Sequence, residues 1–213
     1  MKDTLRRTLI KPKMPMRLFM VLFGQVVLGL GVALLKLSGQ GNDPFSAMMM
    51  ALTEKTTLSY GNFCAIGNCV FFVIEILFGR KYIGIGTIVN WFALGYVVEF
   101  WTWVFDLVGF SKPDALALCI LICIIALPFA GFGLSLYQSA DIGSSPYDCL
   151  PLIMNDRLHI PFFLGRIIAD GCCLVITFFA GGILGFGTVM VVLCLGPTAA
   201  FINRNFSEKL VKE

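Results

Sequence analysis

The chain alternates between long apolar runs and short polar segments. Six runs are long enough for a helix to cross a bilayer, whose hydrocarbon core needs about 20 apolar residues. None of them shows the strict alternation of a membrane β-barrel strand. The pattern predicts an all-α polytopic membrane protein with six transmembrane helices. The runs are Leu18–Leu35, Phe63–Phe78, Ile83–Phe105, Ala115–Ser139, Pro161–Gly182 and Leu184–Ile202.

Two shorter apolar stretches lie between these runs, over residues 44–54 and 146–155. About eight apolar residues cover roughly 12 Å as a helix, which is less than half of a membrane. We therefore expect two half-helices, either re-entrant or lying in the membrane interface.

The residues that precede these stretches are typical of helix starts. Asp43 is the expected N-cap of the first half-helix, because an aspartate followed by proline suits the N-cap and first helical positions. The second half-helix is expected to begin at Pro146, with Ser145 and Asp148 in capping-box spacing.

The half-helices belong to a sequence that occurs twice. Gly-Asn-Asp-Pro-Phe-Ser from position 41 returns as Gly-Ser-Ser-Pro-Tyr-Asp from position 143, and Gly-x-Gly elements precede and follow it in both copies. Such self-similarity predicts two copies of one unit of about 100 residues. We expect the recurring glycines to be positions of close helix packing. They are Gly29, Gly31, Gly84, Gly86, Gly131, Gly133, Gly185 and Gly187.

An odd number of spans in each copy predicts that the second copy enters the membrane upside down, as an inverted repeat. The basic turn Arg80-Lys81 then lies on the same side as the basic N-terminus, and both termini are cytoplasmic by the positive-inside rule. The expected organisation is a basic arm, repeat 1, a linker, repeat 2 and a cytoplasmic tail. These segments are residues 1–17, 18–110, 111–114, 115–203 and 204–213.

The composition agrees with a membrane protein. Hydrophobic residues make up 58% of the chain, charged residues 14%, and the mean hydropathy is +0.87, so the lipid bilayer is the expected surrounding. Six of the sixteen basic residues lie within the first seventeen positions, beside the first span. This placement explains the net charge of +3 without a nucleic-acid partner.

The two recurring glycine motifs, in this order and spacing around Gly41-Asn42-Asp43-Pro44, resemble the YczE/YitT family of small bacterial membrane proteins. The resemblance extends from about residue 17 to 205. It implies a multi-spanning protein of the bacterial cytoplasmic membrane. Since most members have no assigned biochemical function, it implies no catalytic residues.

Polar groups inside the spans are the first candidates for a site, because an unpaired ionisable group in a membrane costs several kcal/mol. Arg166 and Asp170 stand one helical turn apart and can pair. They are either a salt bridge that allows insertion or part of a substrate or proton path. Asn68 and Asn90 are either interhelical hydrogen-bonding residues or ligands of a solute.

The starts of the two half-helices give the sharper hypothesis. Interrupted helices in transporters direct unpaired N–H groups at a site near the membrane midplane. We therefore expect a polar centre between the repeats that includes Asn42, Asp43, Ser144 and Ser145. The alternative is two capped helices that lie in the interface.

The leading function is a secondary transporter or permease for a small polar or anionic solute. Two alternatives remain: the substrate-binding membrane subunit of an ATPase-driven uptake system, and an accessory or regulatory membrane protein without transport activity. No Cys-x-x-Cys or nucleotide motif is present and His159 is the single histidine, so we expect no enzyme, metal or cofactor. A homo-oligomer is left open.

Overall fold

The structure is a computed structural model that describes residues 11–212, and every regular element in this range is helical. The six long helices are α1 (Met14–Ser38), α3 (Tyr60–Phe78), α4 (Ile85–Leu107), α5 (Leu116–Ser139), α7 (Phe162–Phe179) and α8 (Phe186–Ile202). The short helices are α2 (Pro44–Thr53), α6 (Cys149–Leu158), α9 (Glu208–Lys212), a 3-10 turn over Arg80–Tyr82 and a π-helical turn over Asn203–Ser207.

All six predicted spans are confirmed as helices long and apolar enough to cross a membrane, and their bounds differ from the prediction by a few residues. Their outer faces are strongly apolar. Phe163, Phe178 and Phe179 expose 72%, 69% and 81% of their surfaces. Phenylalanines in such numbers are stable at a surface that contacts lipid rather than water. The protein is a membrane protein.

Both half-helices are present, each with 10 residues. In α2 the expected cap forms: the Asp43 carboxylate accepts a hydrogen bond from the Ser46 N–H at 3.0 Å, and Pro44 is the first helical residue. Helix α6 begins at Cys149, three positions later than predicted. Residues 146–148 form a turn instead, which the Ser145 hydroxyl caps by accepting the Asp148 N–H at 3.0 Å.

Helices α1 and α5 cross at the centre of the bundle, where small residues bring their backbones together. A Cβ atom on Gly31 would lie 2.6 Å from the Ala130 nitrogen, and one on Gly133 would lie 2.3 Å from the Leu28 nitrogen. Backbones this close leave no room for a larger side chain, which is the role of small residues in membrane helix pairs. Gly29 and Gly131 contact Val97 of α4 and Thr198 of α8 in the same way.

Each half of the chain also packs a loop against the other half. The Gly187 N–H donates to the Gln40 carbonyl at 2.8 Å, and the Gly86 N–H donates to the Ile142 carbonyl at 2.9 Å. Gly41 and Gly143, with φ angles of +90° and +128°, allow these turns because a residue with a Cβ is strained there. The Gly-x-Gly-Thr segment of each half thus packs on the polar loop of the other.

These contacts define two ends of the bundle. At one end, called here the Lys11 end, Lys11 forms an ion pair with Asp141 at 2.5 Å and Lys81 forms one with Asp156 at 2.6 Å. At the other, called here the Lys112 end, Lys112 lies against Gly39, and Gly41 packs on Gly185. Helix α1 connects the two ends, since its 25 residues extend for about 37 Å.

Residues 1–10 of the predicted basic arm, with Lys2, Arg6 and Arg7, lie outside the described residues. Arg17, which ends that arm, is part of α1 and donates a hydrogen bond to the Ala140 carbonyl at 2.6 Å. The predicted tail continues helical beyond α8 through the π-helical turn and α9.

Candidate functional site

A small cavity of about 60 Å³ lies at the centre of the bundle. Its wall takes residues from both halves of the chain, including those of α1, α3 and α4 from the first and of α5, α7 and α8 from the second. The loops that precede the half-helices close it with Asp43 and Ser145. The cavity therefore joins the two copies of the repeated unit.

Most lining residues come in equivalent pairs, one from each copy. Phe45 and Tyr147 stand 102 positions apart, and their rings stack with centroids 4.8 Å apart. The other pairs in the wall are Leu28 with Ala130, Val32 with Leu134, Asp43 with Ser145, Ser46 with Asp148, Cys64 with Arg166, Asn90 with Val191 and Leu94 with Leu195.

The second copy contributes a charged network centred on Arg166. Its guanidinium donates to the Asp148 carboxylate at 2.7 Å and to the Asp170 carboxylate at 3.2 Å. The Tyr147 hydroxyl donates to Asp170, and the Ser145 hydroxyl donates to Asp148 at 2.8 Å. Helix α7 supplies Arg166 and Asp170 four residues apart on one face, as the sequence predicts. Asp148 lies outside that helix and was not predicted to take part in the pair.

The Tyr147 ring stabilises this network by packing its face against Arg166. The Arg166 guanidinium carbon lies 5.2 Å from the centre of the ring, within the range of a cation–π interaction. Phe71 packs edge-on against the same ring at 5.9 Å. The guanidinium is therefore held by two carboxylates and an aromatic face, and its charge is locally compensated.

The first copy presents a different set of groups at the equivalent positions. One oxygen of Asp43 accepts the Ser46 N–H, whereas the other, Oδ2, is buried and makes no hydrogen bond. The Ser46 hydroxyl is likewise buried. The Tyr60 hydroxyl and the Asp43 carboxylate are its polar neighbours, but neither lies at normal hydrogen-bond geometry to it. Buried polar atoms are nearly always paired. Two neighbouring acceptors left open in one wall therefore indicate a place for a ligand or for water.

Asn68 and Asn90 also line the cavity, and neither amide hydrogen-bonds to a described residue. Each is almost fully enclosed, with 6% of its surface exposed. Asn68 is the counterpart of Asp170, so the first copy carries a neutral amide where the second carries a carboxylate. Both amides can donate and accept hydrogen bonds toward the cavity.

Two of the residues predicted for the polar centre lie elsewhere. Asn42 is buried, donates to the Val32 carbonyl at 2.9 Å and accepts the Asp43 N–H at 2.9 Å. Its amide holds the loop before α2 and does not line the cavity. Ser144 lines a separate, wider opening at the Lys11 end.

That opening, called here the vestibule, has a volume of about 320 Å³. Asp148 and Arg166 line both the vestibule and the central cavity, so their ion pair lies between the two. At the Lys112 end a smaller space of about 80 Å³ is lined by Gly41, Asn42 and Glu54. Only Leu35 is shared between that space and the cavity.

The rim of the vestibule carries a second ion pair. Lys81 contacts the Asp156 carboxylate at 2.6 Å, and the Tyr82 hydroxyl donates to it at 2.7 Å. Hydrogen bonds from Lys81 and then Tyr82 lower the pKa of Asp156, and the bond to Asp156 raises the pKa of Lys81. Asp156 thus stays ionised down to a lower pH than a free aspartate. The contribution of its ionised form to folding stability is lost as the pH falls through the lowered pKa.

Two further polar side chains are buried without hydrogen bonds. Glu75 of α3 is fully enclosed, with the Cys149 thiol beside it, and neither carboxyl oxygen has a partner. Gln25 of α1 is 1% exposed, and its amide is unpaired. Neither side chain lines the cavity.

Reasoning from the sequence missed several residues of the site, above all Tyr147, Ser46, Tyr60 and Cys64. The repeat itself carried the signal for Tyr147 and Ser46, because they are the counterparts of Phe45 and Asp148. Tyr60 and Cys64 lie in an apolar span and had no distinguishing pattern. Within residues 11–212 no group of three or more metal-binding side chains comes together.

Comparison with known proteins gives relatives of matching length. The chain is 28% identical to the uncharacterized protein YyaS of Bacillus subtilis over 174 residues, which cover 81% of this chain and 85% of the relative. It is 23% identical to the uncharacterized membrane protein YczE of the same organism over 196 residues, 90% of this chain and 87% of the relative. An uncharacterized protein of Haemophilus influenzae is 25% identical over 181 residues, 85% and 80% of the two chains.

These relatives confirm the resemblance to the YczE/YitT family that the glycine motifs indicate. No solved structure matches the chain. A family model extends over residues 15–204, which include all six spans and both half-helices. The chain therefore belongs to the family of unknown function DUF6198.

Proposed function

We propose that this protein is a permease that moves a small polar solute across the membrane by alternating access, and that it is not an enzyme. The observation that carries the proposal is the central cavity, a largely apolar space with charged, amide and hydroxyl side chains in its wall. Both copies of the repeat enclose it, and the Asp148–Arg166 ion pair separates it from the vestibule. Polar cavities between repeats, next to interrupted helices, are where secondary transporters bind their solutes.

The reciprocal packing of the two copies supports an inverted repeat. The Gln40 carbonyl accepts from Gly187 at the Lys112 end, and its counterpart Ile142 accepts from Gly86 at the Lys11 end. Equivalent contacts at opposite ends of the bundle are expected when a two-fold axis runs through the middle of the membrane. Movement of each half-helix start against the long helix that follows it in the same copy would then open each end in turn.

The Asp148–Arg166 pair is suited to be the gate at the Lys11 end. Its two side chains come from different elements, the turn before α6 and helix α7, so relative movement of these elements breaks the 2.7 Å contact. Arg166 would keep its other partner, Asp170, on its own helix. The guanidinium would therefore not be left unpaired in the open state, which limits the cost of opening.

The distribution of charge supports a cytoplasmic position for the Lys11 end. Arg80, Lys81 and Lys11 are at this end, next to the basic arm, whereas the counterpart of the Arg80-Lys81 turn, Ala180-Gly181-Gly182, carries no charge. The positive-inside rule then favours a cytoplasmic position for both termini in the bacterial membrane.

The test is solute entry into liposomes that contain the purified protein, followed by light scattering as the vesicles swell in small cationic, neutral and anionic solutes. At least one class is expected to enter faster than into protein-free vesicles. Methyl methanethiosulfonate, which adds only a thiomethyl group, should stop that entry by occupying the cavity at Cys64, which lines its wall. The matched variant Cys64→Ala should remain active and resist the reagent.

Equal entry into protein-containing and protein-free liposomes for every class would contradict the proposal. It would favour an accessory role, or a substrate-binding subunit that requires an ATPase. Co-purification of an ATPase from the native membrane would distinguish these two.

A further inference from the structure

We infer that the cavity binds a small protonated amine, whose ammonium group contacts Asp43 Oδ2 and Ser46 Oγ. This inference rests on the proposed permease function and names the class of its solute. The sequence predicts a small polar or anionic solute. The inference keeps the small polar solute and replaces the anionic class with a cationic one.

The balance of charge around the cavity excludes most anions. Three carboxylates, those of Asp43, Asp148 and Asp170, stand around one guanidinium, that of Arg166. Arg166 forms its ion pairs with Asp148 and Asp170, and it acts on Asp43 only at longer range, without a direct contact. No other lysine or arginine lines the cavity in the part of the chain that the structure describes. An anionic solute would meet an uncompensated carboxylate at low dielectric, where like charges repel strongly.

The starts of the half-helices give no free anion site either. Asp43 caps α2, and Asp148 follows the Ser145 cap at the start of α6. Each carboxylate already interacts with the positive end of its helix. In the second copy, Ser144 lines the vestibule instead of the cavity, and the Ser145 hydroxyl donates to Asp148. Neither serine therefore offers its hydroxyl to an anion in the cavity.

The open hydrogen-bonding groups match an ammonium ion. An ammonium group has only donors, and Asp43 Oδ2 and Ser46 Oγ are two buried acceptors without partners, three residues apart at the start of one helix. Phe45 and Tyr60 line the same wall and offer aromatic faces, which attract a cation. Asn68 and Asn90 supply amides for a polar group at the other end of the solute.

The size of the cavity limits the solute. At roughly 10–15 Å³ for each water-sized position, 60 Å³ holds about four to six heavy atoms. A simple amine of the size of ethanolamine fits this volume. A bare metal ion fits the ligands less well, because hard cations take six or more oxygen atoms whereas the wall offers two open acceptors and two amides.

The test is calorimetric binding to the full-length protein in lipid nanodiscs, with three probes of nearly equal size. Ethanolamine is a cation at neutral pH, ethylene glycol is neutral, and glycolate is an anion. Ethanolamine is expected to bind at least tenfold more tightly than either of the others. Sodium chloride at the same concentration should not displace it.

The variant Asp43→Asn should weaken ethanolamine binding at least tenfold. Asparagine is as good an N-cap as aspartate, so α2 should remain intact. Asp106→Asn makes the same chemical change at an exposed position of α4 outside the cavity, and should leave binding unchanged. Ser46→Ala, which removes the second acceptor but keeps the cap, should weaken binding severalfold and serves if Asp43→Asn does not fold.

Binding of glycolate or ethylene glycol as tight as that of ethanolamine, displacement by sodium, or no binding of any probe would each overturn the inference. So would unchanged binding in both Asp43→Asn and Ser46→Ala. Solute entry into liposomes is measured separately, so a permease for another class would lose this inference but keep the proposed function.

Discussion

At the scale of single residues, the two half-helix starts exchange a carboxylate and a hydroxyl. The first copy reads Asp43 to Ser46 and the second reads Ser145 to Asp148, at equivalent positions. The exchange moves the carboxylate by one helical turn, so that Asp148 reaches Arg166 whereas Asp43 does not. The second copy therefore supplies the charged side of the cavity, where the charges pair with one another. The first copy supplies the side with acceptors that have no partner.

Glu75 of α3 is a fully buried carboxylate outside the cavity. Both of its oxygens are buried without partners. Because no cation pairs with the carboxylate and its one neighbouring donor is the weak S–H of Cys149, Glu75→Gln should change the free energy of unfolding by less than about 1 kcal/mol. Asp170→Asn is the contrast: it removes one of the two carboxylates that pair with Arg166 and the acceptor of the Tyr147 hydroxyl, and should cost about 1.5–3 kcal/mol.

Both values come from reversible unfolding of the protein in mixed micelles. A loss in Glu75→Gln as large as that in Asp170→Asn would mean that Glu75 has a charged partner and that its surroundings are misassigned.

At the scale of elements, the crossing of α1 and α5 organises the bundle. Gly31 and Gly133 each face the partner helix at a distance that excludes a methyl group. These contacts hold the two copies against each other at the centre, while the Gly-x-Gly-Thr segments hold them at both ends.

The substitution Gly133→Ala tests this packing. Its methyl group would lie 2.3 Å from the Leu28 nitrogen and 2.5 Å from the Gly24 carbonyl oxygen, both rigid backbone atoms. We expect a loss of about 1–3 kcal/mol or more in unfolding free energy, as for other overpacked positions. Gly171→Ala, in α7 with no atom within 4 Å, should be neutral or stabilise the helix by about 0.5–1 kcal/mol. Equal effects of the two changes would contradict the assigned packing.

The sequence predicted the elements better than the site. Length and hydropathy determine the six spans, and the Asp43-Pro44 pair predicts the start of α2, because caps depend on neighbouring residues alone. The Arg166–Asp170 pair follows from helical spacing. Asp148 could not be assigned to that pair, since the contact depends on how α6 approaches α7. The predicted ligand Asn42 binds the Val32 carbonyl instead, a contact made by the return of the loop onto α1.

At the scale of the whole molecule, the proposed transport requires that the cavity between the two copies is reached from both faces of the membrane in turn. The vestibule approaches it from the Lys11 end and is closed by the Asp148–Arg166 pair. The space at the Lys112 end is smaller. Alternating access requires this second approach to open as the first one closes.

The most direct measurement uses Cys64, which lines the cavity. In a variant that keeps only this cysteine, a small membrane-impermeant thiol reagent is applied to sealed right-side-out and inside-out vesicles. We expect labelling from both faces. A variant that keeps only Cys123, which is buried between α1 and α5 and lines neither the cavity nor the spaces at the two ends, should label from neither face. Labelling of Cys64 from one face only, or from neither, would contradict alternating access.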